Sequence, residues 1–132
     1  MNLFIDSSAF VALRSVEDPS HRQAVALMQT IGDGYSEFIT SNFIIAESTT
    51  VISQRVSHYD AVDFREHDLS SIRVVSISEE LEEQAFEIFR NLTSKNISFV
   101  DCTSFAVMRS LGITTAFAFD SHFKQHGFKL LK

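Results

Sequence analysis

The chain has one cysteine, one proline, four glycines and no tryptophan among its 132 residues. A lone thiol, Cys102, cannot close an internal disulfide, and its apolar helical setting reads as that of a small buried hydrophobe. With Pro19 alone and no low-complexity tract, no linker is visible, so a single domain is expected over residues 1–132. No apolar run approaches the ~18 residues of a membrane span. The opening Met1-Asn2-Leu3-Phe4-Ile5-Asp6 has neither the basic region nor the long apolar stretch of a secretory leader. These absences together point to a reducing, cytoplasmic compartment and no membrane partner. Basic residues are also scarce: 11 Lys and Arg stand against 17 Asp and Glu, for a net charge of −6. That balance argues against a generic polyanion binder. It fits an acidic site that holds a cation, or a protein that travels with a basic partner. Zinc is disfavoured by the want of a cysteine pair or an HExxH motif. His122 and His126 stand four apart, but Gly127 follows at once, and all five histidines read as solvated.

What is present is a hydrophobic fraction of 45% with 13 phenylalanines, enough for an ordinary globular core. A few of those rings could instead stack on bases. Short apolar runs alternate with longer periodic stretches. Strands are expected at Asn2–Ile5, Phe38–Thr40, Arg73–Ile77, Thr115–Phe119 and, as an edge, Lys129–Leu131. Helices are expected at Ser8–Arg14, Ser20–Ile31 (stopped by Gly32-Asp33-Gly34), Asn42–Val56, Ala61–Leu69, Glu79–Leu92 and Phe99–Leu111. The glutamates at 79, 80, 82, 83 and 87 form a solvated face at a helix start, where the dipole favours them. Strands alternating with helices imply parallel βαβ units and an α/β fold. In open parallel sheets, ligands bind beyond the C-terminal strand ends, where Asp6 and Asp120 both fall.

Four lone acids interrupt or border apolar runs: Asp6 after Leu-Phe-Ile, Glu47 after Phe43-Ile44-Ile45-Ala46, Asp101 after Phe99-Val100, and Asp120 after Phe117-Ala118-Phe119. Carboxylates rarely sit beside a core without a partner, and no Lys or Arg adjoins any of them in sequence. Each has a plain structural alternative. Asp6 can cap the helix that follows, as can Ser7 or Ser8. Glu47 can lie at the edge of its apolar stripe and reach water. Asp101 sits three after Ser98, the spacing of a capping box, and Asp120 can cap a short turn. One shared cation explains all four at once. The donors are carboxylate and hydroxyl oxygens, which suit Mg²⁺ or Mn²⁺. A water on such an ion is a ready nucleophile for a phosphodiester. Thr103, close to Asp101, adds a hydroxyl that could orient it.

Asp6-Ser7-Ser8-Ala9-Phe10, Ile45-Ala46-Glu47, Phe99-Val100-Asp101-Cys102-Thr103 and Phe119-Asp120-Ser121-His122-Phe123 with Gly127-Phe128 resemble, in order and spacing, a PIN domain. The nearest subgroup is the VapC-like toxins of prokaryotic toxin–antitoxin pairs. The resemblance spans essentially the whole chain. It implies a compact α/β/α sandwich with a central, mainly parallel sheet. It also implies Mg²⁺- or Mn²⁺-dependent endoribonuclease activity, a homodimer and a small antitoxin. Asp6, Glu47, Asp101 and Asp120 match the family's acidic, metal-binding and catalytic cluster, with Ser8 and Thr103 as supporting polar positions. Some relatives carry a further acid just after the last Asp, where this chain has Ser121 and His122. A haloacid-dehalogenase phosphatase would need Asp-x-Asp after the first strand, and a receiver domain would need paired early acids and a late lysine. Neither pattern is here. The remaining alternative is a catalytically silent PIN-like module that docks RNA or protein.

Overall fold

The computed structural model describes residues 1–32 and 34–132, so Asp33, the middle of the expected Gly32-Asp33-Gly34 stop, lies outside the described residues. In chain order the elements are β1 (Asn2–Ile5), α1 (Ser7–Arg14), α2 (His21–Thr30), β2 (Glu37–Ser41), α3 (Asn42–Arg55) and α4 (His58–Asp63). A π-helical turn (Phe64–Asp68) continues α4. There follow β3 (Ile72–Val75), α5 (Glu79–Arg90), α6 (Phe99–Leu111), β4 (Thr115–Phe117), α7 (His122–Gln125) and β5 (Lys129–Leu130). The strands form one five-stranded sheet in the order β3-β2-β1-β4-β5, and every pairing is parallel. Parallel neighbours cannot be joined by hairpins, so helical crossovers cover the sheet. The expected α/β/α sandwich is what forms.

Position in the sheet follows from side-chain character. β1 is central: Leu3 and Phe4 are fully buried and Ile5 nearly so, as a strand covered on both faces requires. Its Phe4 pairs with Ile39 of β2 on one side and Ala116 of β4 on the other. β3 lies at the edge and exposes Arg73 and Val74. Helix α6 has no polar stripe over its first two turns, and Asp101 to Met108 are all buried. Its ends match the sequence expectation because both are punctuated. Ser98 and Asp101 form a reciprocal capping box, and Gly112 closes the helix at φ 68°, where a side chain would strain the backbone.

Two boundaries differ from expectation for identifiable reasons. The helix expected at Ala61–Leu69 begins at His58, because Ser57 caps it through a hydroxyl that accepts from the Asp60 N–H at 3.0 Å. The strand expected to reach Phe119 ends at Phe117, because the Phe119 N–H turns out of the ladder to donate to Ser8 Oγ at 3.1 Å.

The π-helical turn belongs to a clamp. Arg14, at the end of α1, meets Asp60 at 3.1 Å, Asp63 at 2.6 Å and Asp68 at 3.0 Å. Those hydrogen bonds, led by Asp68's, raise the guanidinium pKa beyond its already high value and hold the Asp63 carboxyl below its usual range. Without the arginine, three carboxylates would crowd one another. We expect Arg14→Met to lower the melting temperature by roughly 5 °C. Thermal unfolding followed by circular dichroism tests this, and an unchanged midpoint would count against the clamp.

Candidate metal centre

The site forms where β1 and β4 end and the N-termini of α1 and α6 begin. Asp6 leaves β1 with its backbone N–H on the Phe117 carbonyl at 3.0 Å, extending the sheet by one bond. Its side chain caps α1: Oδ2 accepts the Ser8 N–H at 3.2 Å and the Ser8 hydroxyl at 2.7 Å. The other oxygen, Oδ1, is buried and has no hydrogen-bond partner. Ser8 does two jobs, since its oxygen also receives the Phe119 N–H. One hydroxyl thus ties the β1 end to the loop that carries Asp120.

Asp101 reaches the same place from the first turn of α6. Its Oδ2 accepts the Ser98 N–H at 3.1 Å and lies 2.9 Å from His122 Nδ1. Asp120 accepts the backbone N–H of His122 at 3.0 Å through Oδ1, which also lies 3.5 Å from the His122 ring nitrogen. One ligand atom from each of Asp101, Asp120 and His122 falls within 4.8 Å of the others. Helix α7 holds its imidazole in place because the next residue, Phe123, is fully buried, 5.2 Å edge-on to Phe105 of α6 and 6.3 Å from Phe4 of β1.

Glu47 approaches from α3 and accepts a short hydrogen bond from the Ser7 hydroxyl. It sits half-buried, between the apolar stripe and solvent. Ser7, Ser8, Glu47 and Asp120 line a cavity of about 400 Å³. A larger cavity of about 780 Å³ lies between α5 and α6 and touches none of the four acids. The smaller one shares Asp120 with the acid–histidine cluster, while Asp6, Asp101 and His122 stand outside its lining.

The carboxyls show the strain of assembly. Burial, above all, pushes Asp6 up to about 7; its Ser8 hydrogen bond pulls the other way, and the charges of Asp120 and Asp101 add to the rise. Asp120 is raised by burial and then by Asp101, with its bond to the His122 backbone opposing. These are groups in want of positive charge. A carboxylate oxygen buried with no donor, in a cluster of oxygens and one imidazole nitrogen, fits a divalent cation. Asp6, Asp101 and Asp120 could hold it, with His122 and Glu47 beside them.

Sequence reasoning grouped Asp6, Glu47, Asp101 and Asp120 around one ion: Asp101 and Asp120 lie close enough for their charges to act on Asp6, while Glu47 takes the Ser7 hydroxyl and shares the cavity with Asp120. Other details differ. His122 is not solvated: it bridges Asp101 and Asp120, drawn there because the Asp120-Ser121-His122 reversal folds the ring back over the acids. His126 is half-buried and stacks on Phe105 at 4.6 Å, while His21 meets the Ala12 carbonyl at 2.7 Å. Thr103 does not face the cavity; it is fully buried and donates its hydroxyl to the Val100 carbonyl at 2.6 Å. Ser7 was legible only as a possible cap, since nothing local marks a bond to a residue forty positions away. Cys102 is buried, as expected, and burial raises its thiol to about 11, which leaves it unreactive.

Residues 3–129 match the model of the PIN domain family. The chain is 38% identical over 127 residues to the 23S rRNA-specific endonuclease VapC20 of Mycobacterium tuberculosis, an alignment covering 96% of this chain and 95% of that protein. The crystal structure of M. tuberculosis VapC20, described as a Sarcin-Ricin loop cleaving toxin, superposes with a TM-score of 0.88 at 36% identity, over 96% of this chain and 95% of that one. VapBC2 from Rickettsia felis, solved with a DNA fragment from its promoter, gives a TM-score of 0.70 at 15% identity, which speaks for the fold alone.

Proposed function

The chain belongs to the PIN domain family, and on that premise we propose that it is a metal-dependent endoribonuclease, the toxin of a type II toxin–antitoxin pair. The observation that carries this reading is Asp6: a buried carboxylate with one oxygen unpaired, raised to about 7, among further acids at the sheet's C-terminal rim. A Mg²⁺ or Mn²⁺ ion held there would supply Lewis acidity to a phosphodiester and lower the pKa of a water.

The protein's own residues set the geometry. Ser8 fixes Oδ2 of Asp6 and leaves Oδ1 free to bind. Ser98 and His122 hold one oxygen of Asp101. The His122 backbone holds one oxygen of Asp120. Ser7 keeps Glu47 turned toward the cavity. Each acid therefore arrives with an oriented carboxylate, and little reorganisation remains when a cation enters.

The substrate class is RNA, and ribosomal RNA is the first substrate to assay, since the 38%-identical relative is a 23S rRNA-specific endonuclease. We read the compartment as cytoplasmic, where an RNA substrate would be met. One PIN-like domain over residues 1–132 carries the activity. A small antitoxin and a second copy of the chain are its protein partners, and Phe86 and Phe89, exposed on α5 at 47% and 42%, offer apolar surface for such contacts. No described helix is long and apolar enough to cross a membrane.

Purified protein should cleave RNA in Mg²⁺ or Mn²⁺, stop in EDTA, and resume when the ion is restored. Full activity in EDTA would overturn the metal assignment. RNA binding without cleavage under any divalent ion would favour the silent module.

A further inference from the structure

We propose that Arg55 is a substrate-positioning residue that grips an RNA backbone phosphate neighbouring the one that is cleaved. The inference deepens the nuclease reading and rests on it. Arg55 ends α3, eight residues after Glu47 and four after Val51, so the three share one helix face. All three line the cavity of about 400 Å³ that also holds Ser8 and Asp120. The rise from Glu47 to Arg55 is about 12 Å along the helix, so the two residues line separate stretches of the cavity wall.

Charge makes that placement matter. The chain's net charge is −6, and the cavity presents Asp18, Glu47 and Asp120 to an incoming polyanion. Among the described lining residues, Arg55 is the lone cation. It is exposed, and no carboxylate pairs with it among the described residues, whereas Arg14, Arg73 and Arg90 are each engaged in ion pairs. A cation held by the acids would handle the scissile phosphate; among the cavity's charged groups a neighbouring phosphate would meet only carboxylates unless Arg55 receives it. Guanidinium suits the task because its planar fork makes paired hydrogen bonds to phosphate oxygens.

The plain structural reading is that Arg55 complements the negative end of α3. That role would show in stability and not in substrate handling. The test compares wild type, Arg55→Ala and Arg55→Lys on one single-stranded oligoribonucleotide. Cleavage is followed in Mg²⁺, oligonucleotide binding in EDTA, and both across a salt series. Arg55→Ala should weaken binding and kcat/KM by roughly tenfold, the latter mostly through KM. It should also shrink the slope of log K against log salt by about 0.7, one single-strand phosphate contact. Arg55→Lys should fall between the two, and Mn²⁺ affinity should be unchanged in all three. Equal kcat/KM and equal salt slopes in wild type and Arg55→Ala would overturn the inference while leaving the nuclease reading intact. So would an Arg55→Ala protein that cleaves normally but loses affinity for its protein inhibitor. Should wild type prove inert, the nuclease reading falls, and oligonucleotide affinity still decides Arg55: an unchanged dissociation constant in Arg55→Ala sinks it.

Discussion

Replacing Asp6 with asparagine should reduce RNA cleavage to about a thousandth of the wild-type rate and leave the metal-free protein more stable at neutral pH. The rate follows from Lewis-acid stabilisation worth several kcal/mol, of which about 4 corresponds to three orders of magnitude. Asparagine keeps the shape and one oxygen, so the Ser8 bonds that cap α1 survive. What goes is the charge on a side chain only 2% exposed and flanked by like charges. Asp101→Ala is the instructive contrast. It should lose activity similarly but also weaken the α6 cap, because no oxygen is left to accept the Ser98 N–H, for a stability loss of about 1 kcal/mol. Single-turnover cleavage with urea unfolding in EDTA reads both quantities. An Asp6→Asn protein that keeps more than a tenth of the activity would remove Asp6 from the site.

The pH dependence of metal-free stability is the second large effect. In the unfolded chain Asp6 ionises near 3.8, while in the folded protein it keeps its proton until about 7. Between those values the folded state binds one more proton, so raising the pH destabilises it by about 1.4 kcal/mol per unit. The loss is absent below pH 4, accumulates to roughly 4 kcal/mol, and is complete above pH 7. Asp120, also raised, acts in the same direction. In EDTA, the stability of Asp6→Asn relative to wild type should therefore grow steadily from pH 4 to pH 7. Parallel stability curves for the two proteins would show that the carboxyl is not held in the strained, protonated form.

Local signals carried most of the fold. The α6 boundaries were legible to the residue because a capping box and a left-handed glycine mark them. The central place of β1 was legible in its unbroken apolar run. Asp6 and Asp120 could be gathered because the rule for strand ends in parallel sheets needs only element order, and Asp101 joined them as a carboxylate lacking a nearby cation. Contacts between distant segments were not legible. The end of β4 is set by a hydroxyl 111 residues away, so an apolar run reads two residues too long. Glu47 looked anomalous within α3, but its partner Ser7 lies on α1. His122 was read as solvated because its partners come from α6 and from a chain reversal, neither of which leaves a periodic trace. Thr103 shows the converse error: sequence proximity to Asp101 placed it at the site, and helical geometry turned its hydroxyl onto Val100.

The hydrogen bond from the Phe119 N–H to Ser8 joins the first turn of the first helix to the loop after the fourth strand. The acids it draws together, Asp6 and Asp120, are separated by nearly the whole length of the chain. During synthesis, which proceeds from the N-terminus, Asp6 is made more than a hundred residues before Asp120 and His122. The cluster of acids cannot assemble until β4 has docked against β1. Assembly of the cluster therefore reports that the first and fourth strands have paired, and a partly folded chain lacks it.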